Sequence, residues 1–184
     1  MNGSGERLSV AVNKSTLEIV KGNIVQQPDM DAIVNAANKE LAPGGGVAGA
    51  IHRAAGPELW EECRKLGGCE TGEAKITSAY RLPNKYVIHT VGPVYSGSLQ
   101  DEKDLRSCYI NSLKLAKSHG IKTIAFPAIS TGIFGYPMED AARVAIRAVV
   151  DFLMENEEIK IVRFVLFDDK SFNIHKKVLN DIIR

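Results

Sequence analysis

The 184-residue chain has no run of about eighteen apolar residues, so no segment reads as a membrane-spanning helix. Its N-terminus lacks the charged-then-apolar layout of a secretory signal. Position 2 is Asn, so the Gly required for myristoylation is missing. An excess of one charge is also absent. The 23 Lys and Arg against 22 Asp and Glu leave a formal net charge of +1. That balance argues against DNA or RNA as a partner, because phosphate-backbone binding calls for a concentrated basic field. Cysteine is scarce: Cys63, Cys69 and Cys108 are odd in number and form no Cys-x-x-Cys pair. They read as reduced structural thiols of a cytoplasmic protein, not as a metal site or disulfide frame. No His/Cys/Asp cluster suggests a metal, and no Gly-Lys-Ser/Thr of a P-loop NTPase occurs.

The length suits one domain. Residues 1–7 (Met-Asn-Gly-Ser-Gly-Glu-Arg) read as a flexible lead-in, and a single domain is expected over 8–184. Strand-like and helix-like segments alternate from there. Strands are expected at Leu8–Val12, Thr16–Val20, Ala32–Val34, Lys85–His89, Thr123–Phe126 and Val162–Phe167. Pro57 starts a short helix through Trp60 and Cys63, ended by Gly67-Gly68. Leu105, Cys108, Ser112 and Leu115 keep helical spacing up to Gly120. Pro137 opens a helix with Glu139 and Asp140 in its first turn, and its inner face carries Ala141, Ala145, Val149 and Phe152. Ser171 caps a last helix with Phe172, Leu179 and Ile182 on its apolar face. Such alternation predicts an α/β fold, a sheet covered on both faces by helices. Ligands on such sheets bind beyond the carboxyl ends of the strands.

Two strand-to-helix loops stand out. The first runs from Asn35 to Gly49 and contains Pro43-Gly44-Gly45-Gly46-Val47. A helix with Ala50, Ile51 and Ala54 available for packing follows. Three consecutive glycines are entropically costly and suit a place where backbone passes close to something. Just before a helix, their N–H groups form an anion site. The second loop, Ser130-Thr131-Gly132-Ile133-Phe134-Gly135-Tyr136, follows an apolar strand and precedes Pro137. Either loop alone reads equally well as a connecting turn. Two of them, each after a strand and before a helix, favour a diphosphate clamp, with Val47, Ile133 and Phe134 excluding water. Gly44-x-Gly46-x-x-Gly49 formally matches the dinucleotide fingerprint. That fingerprint needs its glycines directly after the strand. Here nine residues, Asn35 to Pro43, intervene, so a Rossmann NAD(P) domain is rejected.

The blocks Ala32-Ile33-Val34-Asn35-Ala36-Ala37-Asn38, the triple glycine, Ala50-Ile51-His52-Arg53-Ala54-Ala55-Gly56, Val87-Ile88-His89-Thr90-Val91-Gly92-Pro93 and Phe126 to Gly135 together resemble the macrodomain signature. They stand in register over nearly the whole chain. The wording is nearest the MacroD-type branch, with features of archaeal-type macrodomains. The resemblance implies a three-layer α/β/α fold with a mixed central sheet. It also implies a monomer that binds ADP-ribose, free or on ADP-ribosylated proteins, with O-acetyl-ADP-ribose as a related ligand and no cofactor. By the same resemblance, Asn38 bonds the distal ribose. Gly44, Gly45, Gly46 and Val47 hold one side of the diphosphate. Ser130, Thr131, Gly132, Ile133 and Phe134 close over the other, with Phe134 near the distal ribose. Phe167 packs on adenine, and Asn23 and Ile24 meet its edge. Asn38 fits independently, since an amide both donates and accepts as a vicinal diol requires. Without the family, Phe167 would read as a core residue, and His52 and His89 read as structural.

Two departures bear on function. Asn23 stands where the family usually has Asp, and a neutral acceptor makes roughly half as strong a bond to the adenine amino group. Ala48 stands where MacroD-type hydrolases carry Asp, and alanine can neither take a proton nor orient water. The reading is therefore an ADP-ribose-binding module. The alternative is a hydrolase of Asp/Glu-linked mono-ADP-ribose, or an O-acetyl-ADP-ribose deacetylase, working through Asn38 with Glu40 as a substitute acid. A third reading, a pure interaction domain, predicts a degraded cleft. Poly-ADP-ribose glycohydrolase chemistry is disfavoured because no Gln-Glu-Glu follows the glycines.

Overall fold

A computed structural model describes residues 6–184. The lead-in expected over residues 1–7 lies outside the described residues up to position 5. Arg7, assigned to it, instead opens the first strand and donates to Glu18 at 3.1 Å.

Seven strands form one mixed sheet: β1 Arg7–Val12, β2 Ser15–Lys21, β3 Ala32–Ala36, β4 Ala74–Ser78, β5 Tyr86–Thr90, β6 Thr123–Phe126 and β7 Ile161–Leu166. Their order is β1-β2-β7-β6-β3-β5-β4, parallel from β2 through β5 with an antiparallel strand at each edge. The helices are α1 Gly46–Ala55, α2 Pro57–Cys63, α3 Leu99–Ser118, α4 Met138–Glu155 and α5 Asp169–Ile182. One face of the sheet packs on α3, α4 and α5 through Leu113, Phe126, Ile146 and Phe164. The other packs on α1 and α2 through Ile33, Ile51, Leu59 and Val87. The three-layer α/β/α arrangement with a mixed sheet is therefore present. The central strands read as continuous apolar runs because both of their faces are covered.

Several local expectations are corrected. β4 was not foreseen. α1 begins at Gly46, not after Gly49, so the last glycine of the triplet is already helical. Its buried face is Ala48, Gly49, Ile51, His52 and Ala55, whereas Ala50 and Ala54 are only half-buried. Pro137 is the N-cap of α4 and not its first residue. α5 is capped by Asp168, whose carboxylate accepts the Ser171 N–H at 2.8 Å; Ser171 is the donor, not the cap. Phe167 lies just beyond β7 and is 79% exposed, not in the core.

Arg163, 3% exposed in the middle of β7, is an ionic centre the sequence did not announce. It donates from Nε to Glu18 at 2.8 Å, from Nη1 to Gln27 at 2.9 Å, and to both carboxylate oxygens of Asp29 at 2.8 and 2.7 Å. The segment after β2, which carries Asn23 and Ile24, is thereby tied to the sheet. The Arg163 guanidinium holds the Asp29 carboxyl below its ordinary range.

Candidate functional site

At the carboxyl edge of the parallel strands, a cavity of about 510 Å³ opens between the loops that leave β3 and β6. Its size falls in the range of small-molecule sites. Of the residues expected to hold a ligand, Asn38, Gly44, Gly45, Gly46, Val47, Ser130, Gly132, Ile133 and Phe134 line it. So do Ala36, Ala37, Ala48, Gly92, Ala128 and Ile129. Most of the second group are small, with only Ile129 bulky. What they supply is room, and small apolar residues carry little sequence signal.

Thr131 does not line the cavity; its hydroxyl donates to the Ala128 carbonyl at 3.2 Å. Asn23, Ile24 and Phe167 lie outside the cavity lining as well. Lys21 pairs with Leu166 and the Gly22 N–H donates to the Leu166 carbonyl at 2.8 Å, so Asn23 and Phe167 leave neighbouring strand ends. The Asn23 Oδ1 accepts the Val25 N–H at 3.1 Å, and Ile24 is buried in the α1-side core. Glu40 is exposed and outside the cavity lining, so the structure gives no support to it as a substitute acid.

Each wall is held by a specific device. The Asn38 side chain grips Ala42 with both ends of its amide: Nδ2 donates to the Ala42 carbonyl and Oδ1 accepts the Ala42 N–H, both at 2.9 Å. That closes residues 38–42 into a turn and leaves one N–H and one lone pair of the amide to offer. Gly49 must be glycine, because a Cβ there would stand 2.3 Å from the Gly44 carbonyl oxygen. The loop and the first turn of α1 thus lie in direct contact. On the other wall Ser130 is 6% exposed and has φ of +69°, a left-handed conformation that costs a non-glycine residue on the order of 1 kcal/mol or more. Its hydroxyl donates to the Pro93 carbonyl at 2.8 Å. A Cβ on Gly92 would meet that hydroxyl oxygen at 2.1 Å and Ile129 at 2.6 Å.

Electrostatically the cavity is unusual in what lines it: among the described residues, no Asp, Glu, His, Lys or Arg does so. Polarity comes from backbone. The N–H groups of Gly46, Val47 and Ala48 precede the first helical bond of α1, which runs from the Gly49 N–H to the Gly45 carbonyl at 3.1 Å. Across the cavity the N–H groups of Gly132, Ile133 and Phe134 find no backbone acceptor among the described residues. Only one helix dipole contributes. The expected match between the loops fails here, because nothing beyond Phe134 reaches the cavity and α4 starts four residues later.

The two histidines of the resembling blocks lie outside the cavity. His89 is fully buried on β5, where Asn35 Nδ2 lies 3.1 Å from Nδ1 and Thr77 Oγ1 lies 2.9 Å from Nε2. Burial and the nearby His52 push its pKa down to about 3, so the ring is neutral. His52, one turn beyond Ala48 on α1, is 7% exposed, and burial lowers its pKa as well. All three cysteines are free and buried, and burial pushes each thiol up to about 11.

The Macro domain family model matches residues 34–145. A macro domain-containing protein of Methanosarcina mazei is 53% identical over 97% of this chain and 95% of its own length. The Xenopus laevis protein named ADP-ribose glycohydrolase MACROD2 is 57% identical over 88% of this chain, which spans only 39% of that longer protein. Among solved structures, the Oceanobacillus iheyensis macrodomain with ADP superposes with a TM-score of 0.93 at 41% identity, over 96% of both chains. The Trypanosoma brucei macrodomain in complex with ADP-ribose gives 0.84 at 40% identity, over 89% of this chain and 68% of that one.

Proposed function

Because the chain belongs to the macrodomain family, we propose that its cleft binds ADP-ribose, free or as mono-ADP-ribose on proteins. One observation carries the reading: a cavity lined by no charged side chain, set between a helix N-terminus and a loop whose N–H groups have no backbone acceptor among the described residues. A diphosphate is a dianion whose oxygens accept from both walls, and the dipole of α1 adds to the attraction. The diphosphate lies between Gly44–Val47 and Gly132–Phe134. The distal ribose sits by Asn38 and Phe134, with the spare N–H and lone pair of Asn38 on its hydroxyls. The adenine extends to the β2 and β7 ends, its face on exposed Phe167 and its edge at Asn23 and Ile24. Phe167 offers an aromatic face free of other packing, which suits a base.

The same geometry favours a reader over a strong hydrolase. General acid–base catalysis needs a titratable group within hydrogen-bond reach of the reacting atoms. No such side chain among the described residues lines this cavity. The likeness to proteins named ADP-ribose glycohydrolases supports the alternative, hydrolysis of Asp/Glu-linked ADP-ribose, through a water held by the substrate diphosphate and Asn38. Calorimetric titration with ADP-ribose, alongside release of ADP-ribose from a Glu-linked mono-ADP-ribosylated protein, separates the two. Saturable binding with release at least about a hundredfold slower than for an Ala48→Asp variant is the expected result. No binding would end the reading, and wild-type turnover equal to that of Ala48→Asp would establish the hydrolase instead.

A further inference from the structure

Beside the second wall of the cleft lies an exposed apolar ledge, of which the proposed nucleotide site uses only Ile133. The segment that leaves β5, Pro93 to Leu99, contains no charged residue, and neither does the loop from Ser130 to Tyr136 beside it. Val94 is 64% exposed, Tyr95 39%, Leu99 77% and Ile133 99%. Apolar side chains this open usually sit singly or on mobile segments, whereas a rigid group of them marks an interaction surface.

This ledge is rigid by construction. The Tyr95 N–H donates to the Phe134 carbonyl at 2.8 Å, which joins the segment to the rim of the cavity. The Tyr95 ring rests on Tyr136 with centroids 4.8 Å apart. The Asp101 carboxylate accepts the N–H groups of Ser96, Gly97 and Ser98 at 2.6, 2.9 and 3.3 Å, which clamps the turn.

Sheet order fixes which end of the cleft the ledge occupies. Along the carboxyl edge the strands run β2, β7, β6, β3, β5. The β2 and β7 ends carry Asn23 and Phe167, and β5 is the farthest parallel strand from them. On the reading proposed above, adenine lies at the first end and the distal ribose points toward the second. The carbon that links ADP-ribose to a protein therefore points toward the β5 end, the end from which Val94 and Tyr95 follow in the chain.

We propose that this ledge is the docking surface for the modified polypeptide, taking apolar side chains adjacent to the ADP-ribosylated residue. The inference rests on ADP-ribose occupying the cleft in that direction. The test uses hydrolysis-resistant peptides carrying one ADP-ribose, flanked either by leucines or by serines, and free ADP-ribose, each titrated into the full chain. The leucine-flanked peptide should bind about tenfold more tightly than free ADP-ribose, the return for removing roughly 60 Å² of apolar surface from water. The serine-flanked peptide should match free ADP-ribose. A Val94→Ser, Leu99→Ser double variant should lose the leucine gain and keep its affinity for free ADP-ribose. Equal affinity of both peptides for the wild type, or retention of the gain by the double variant, would overturn the ledge while leaving the nucleotide site intact. Concentration-dependent dimerisation abolished by the double variant would give the ledge to a second copy of the chain and likewise overturn the proposal. Failure of free ADP-ribose to bind would remove the reading on which it stands.

Discussion

Gly92→Ala places one methyl group against the wall of the cleft, and its cost can be worked out from contacts. The new Cβ would sit 2.1 Å from the Ser130 hydroxyl oxygen and 2.6 Å from the Ile129 side chain. Ile129 is fully buried, and its only room to move is toward the cavity it lines, which narrows the cleft. The closer clash is relieved by Ser130, which gives up its bond to the Pro93 carbonyl. Overpacking of this kind costs roughly 1–3 kcal/mol, and the lost hydrogen bond about 1 kcal/mol more. A total near 3 kcal/mol lowers Tm by roughly 6–12 °C in a domain of this size. Because Ser130 carries the second loop, ADP-ribose affinity should fall together with stability, by about tenfold or more at a temperature where the variant is still folded. Gly132→Ala is the stability control: nothing lies within 4 Å of the point its new Cβ would occupy, so Tm should stay within about 2 °C. Scanning calorimetry and binding calorimetry on both variants decide the matter. A Gly92→Ala protein with wild-type Tm and affinity would show that the second loop is not held by this contact.

Arg163→Met should cost about 2–3 kcal/mol in urea unfolding, because it removes the shorter of buried Glu18's two ion pairs and leaves only the half-exposed Arg7 at 3.1 Å; a loss under about 1 kcal/mol would mean that the cluster only decorates the sheet. Asp29, held low by Arg163, contributes stability that is complete above its unfolded pKa near 4 and is lost as pH falls through the lower folded value, so Asp29→Asn should flatten stability only below about pH 4. His89 and His175 are pushed down to about 3 and about 4 by burial. The unfolded chain takes up protons near pH 6.5 and the folded chain does not, so stability should fall below pH 6.5 by up to about 1.4 kcal/mol per pH unit for each histidine, and denaturant melts from pH 7 to 5 that stay level would contradict both burials. ADP-ribose affinity should be nearly flat from pH 6 to 9, since no ionisable side chain among the described residues lines the cavity; a titration midpoint in that range would reveal a charged group in contact with the ligand.

The parts of the fold that follow from alternation were legible. Covered strands such as Ala32–Ala36 and Ile161–Leu166 are mostly apolar, broken by Asn35 and Arg163, and the loops that follow β3 and β6 stand out by glycine. The misses have physical causes. β4 is an edge strand with a half-exposed pattern, so Lys75 and Thr77 hide its period. The start of α3 was signalled by Ser98 and Asp101, which form a capping box with Asp in place of the commoner Glu. Asp168, Asp169 and Ser171 are all competent caps, and only the backbone decides among them. Glycine in a helix opposes propensity, which is why Gly46 was read as loop. The Arg163 cluster joins residues 134 positions apart, a pairing that no local pattern carries. In the cavity lining, the two glycine loops and Asn38 carried a sequence signal, whereas Ala36, Ala37, Ala128 and Ile129 did not.

That smallness explains how a near-neutral chain can hold a dianion. A lysine or arginine in the cleft would attract any phosphate, including nucleic acid backbones, at a strength that depends on salt. Backbone N–H groups attract only where an oxygen can reach them at bonding distance, and alanines and glycines on the lining set that approach. On the proposed binding mode, selectivity comes from the spacing of the two loops and from the surfaces at either end of the cleft, Phe167 at one and the Val94 ledge at the other. Charge contributes little to the choice. Replacing a lining alanine by lysine should therefore raise affinity for inorganic diphosphate while narrowing the preference for ADP-ribose over it, because the added cation rewards charge without rewarding shape.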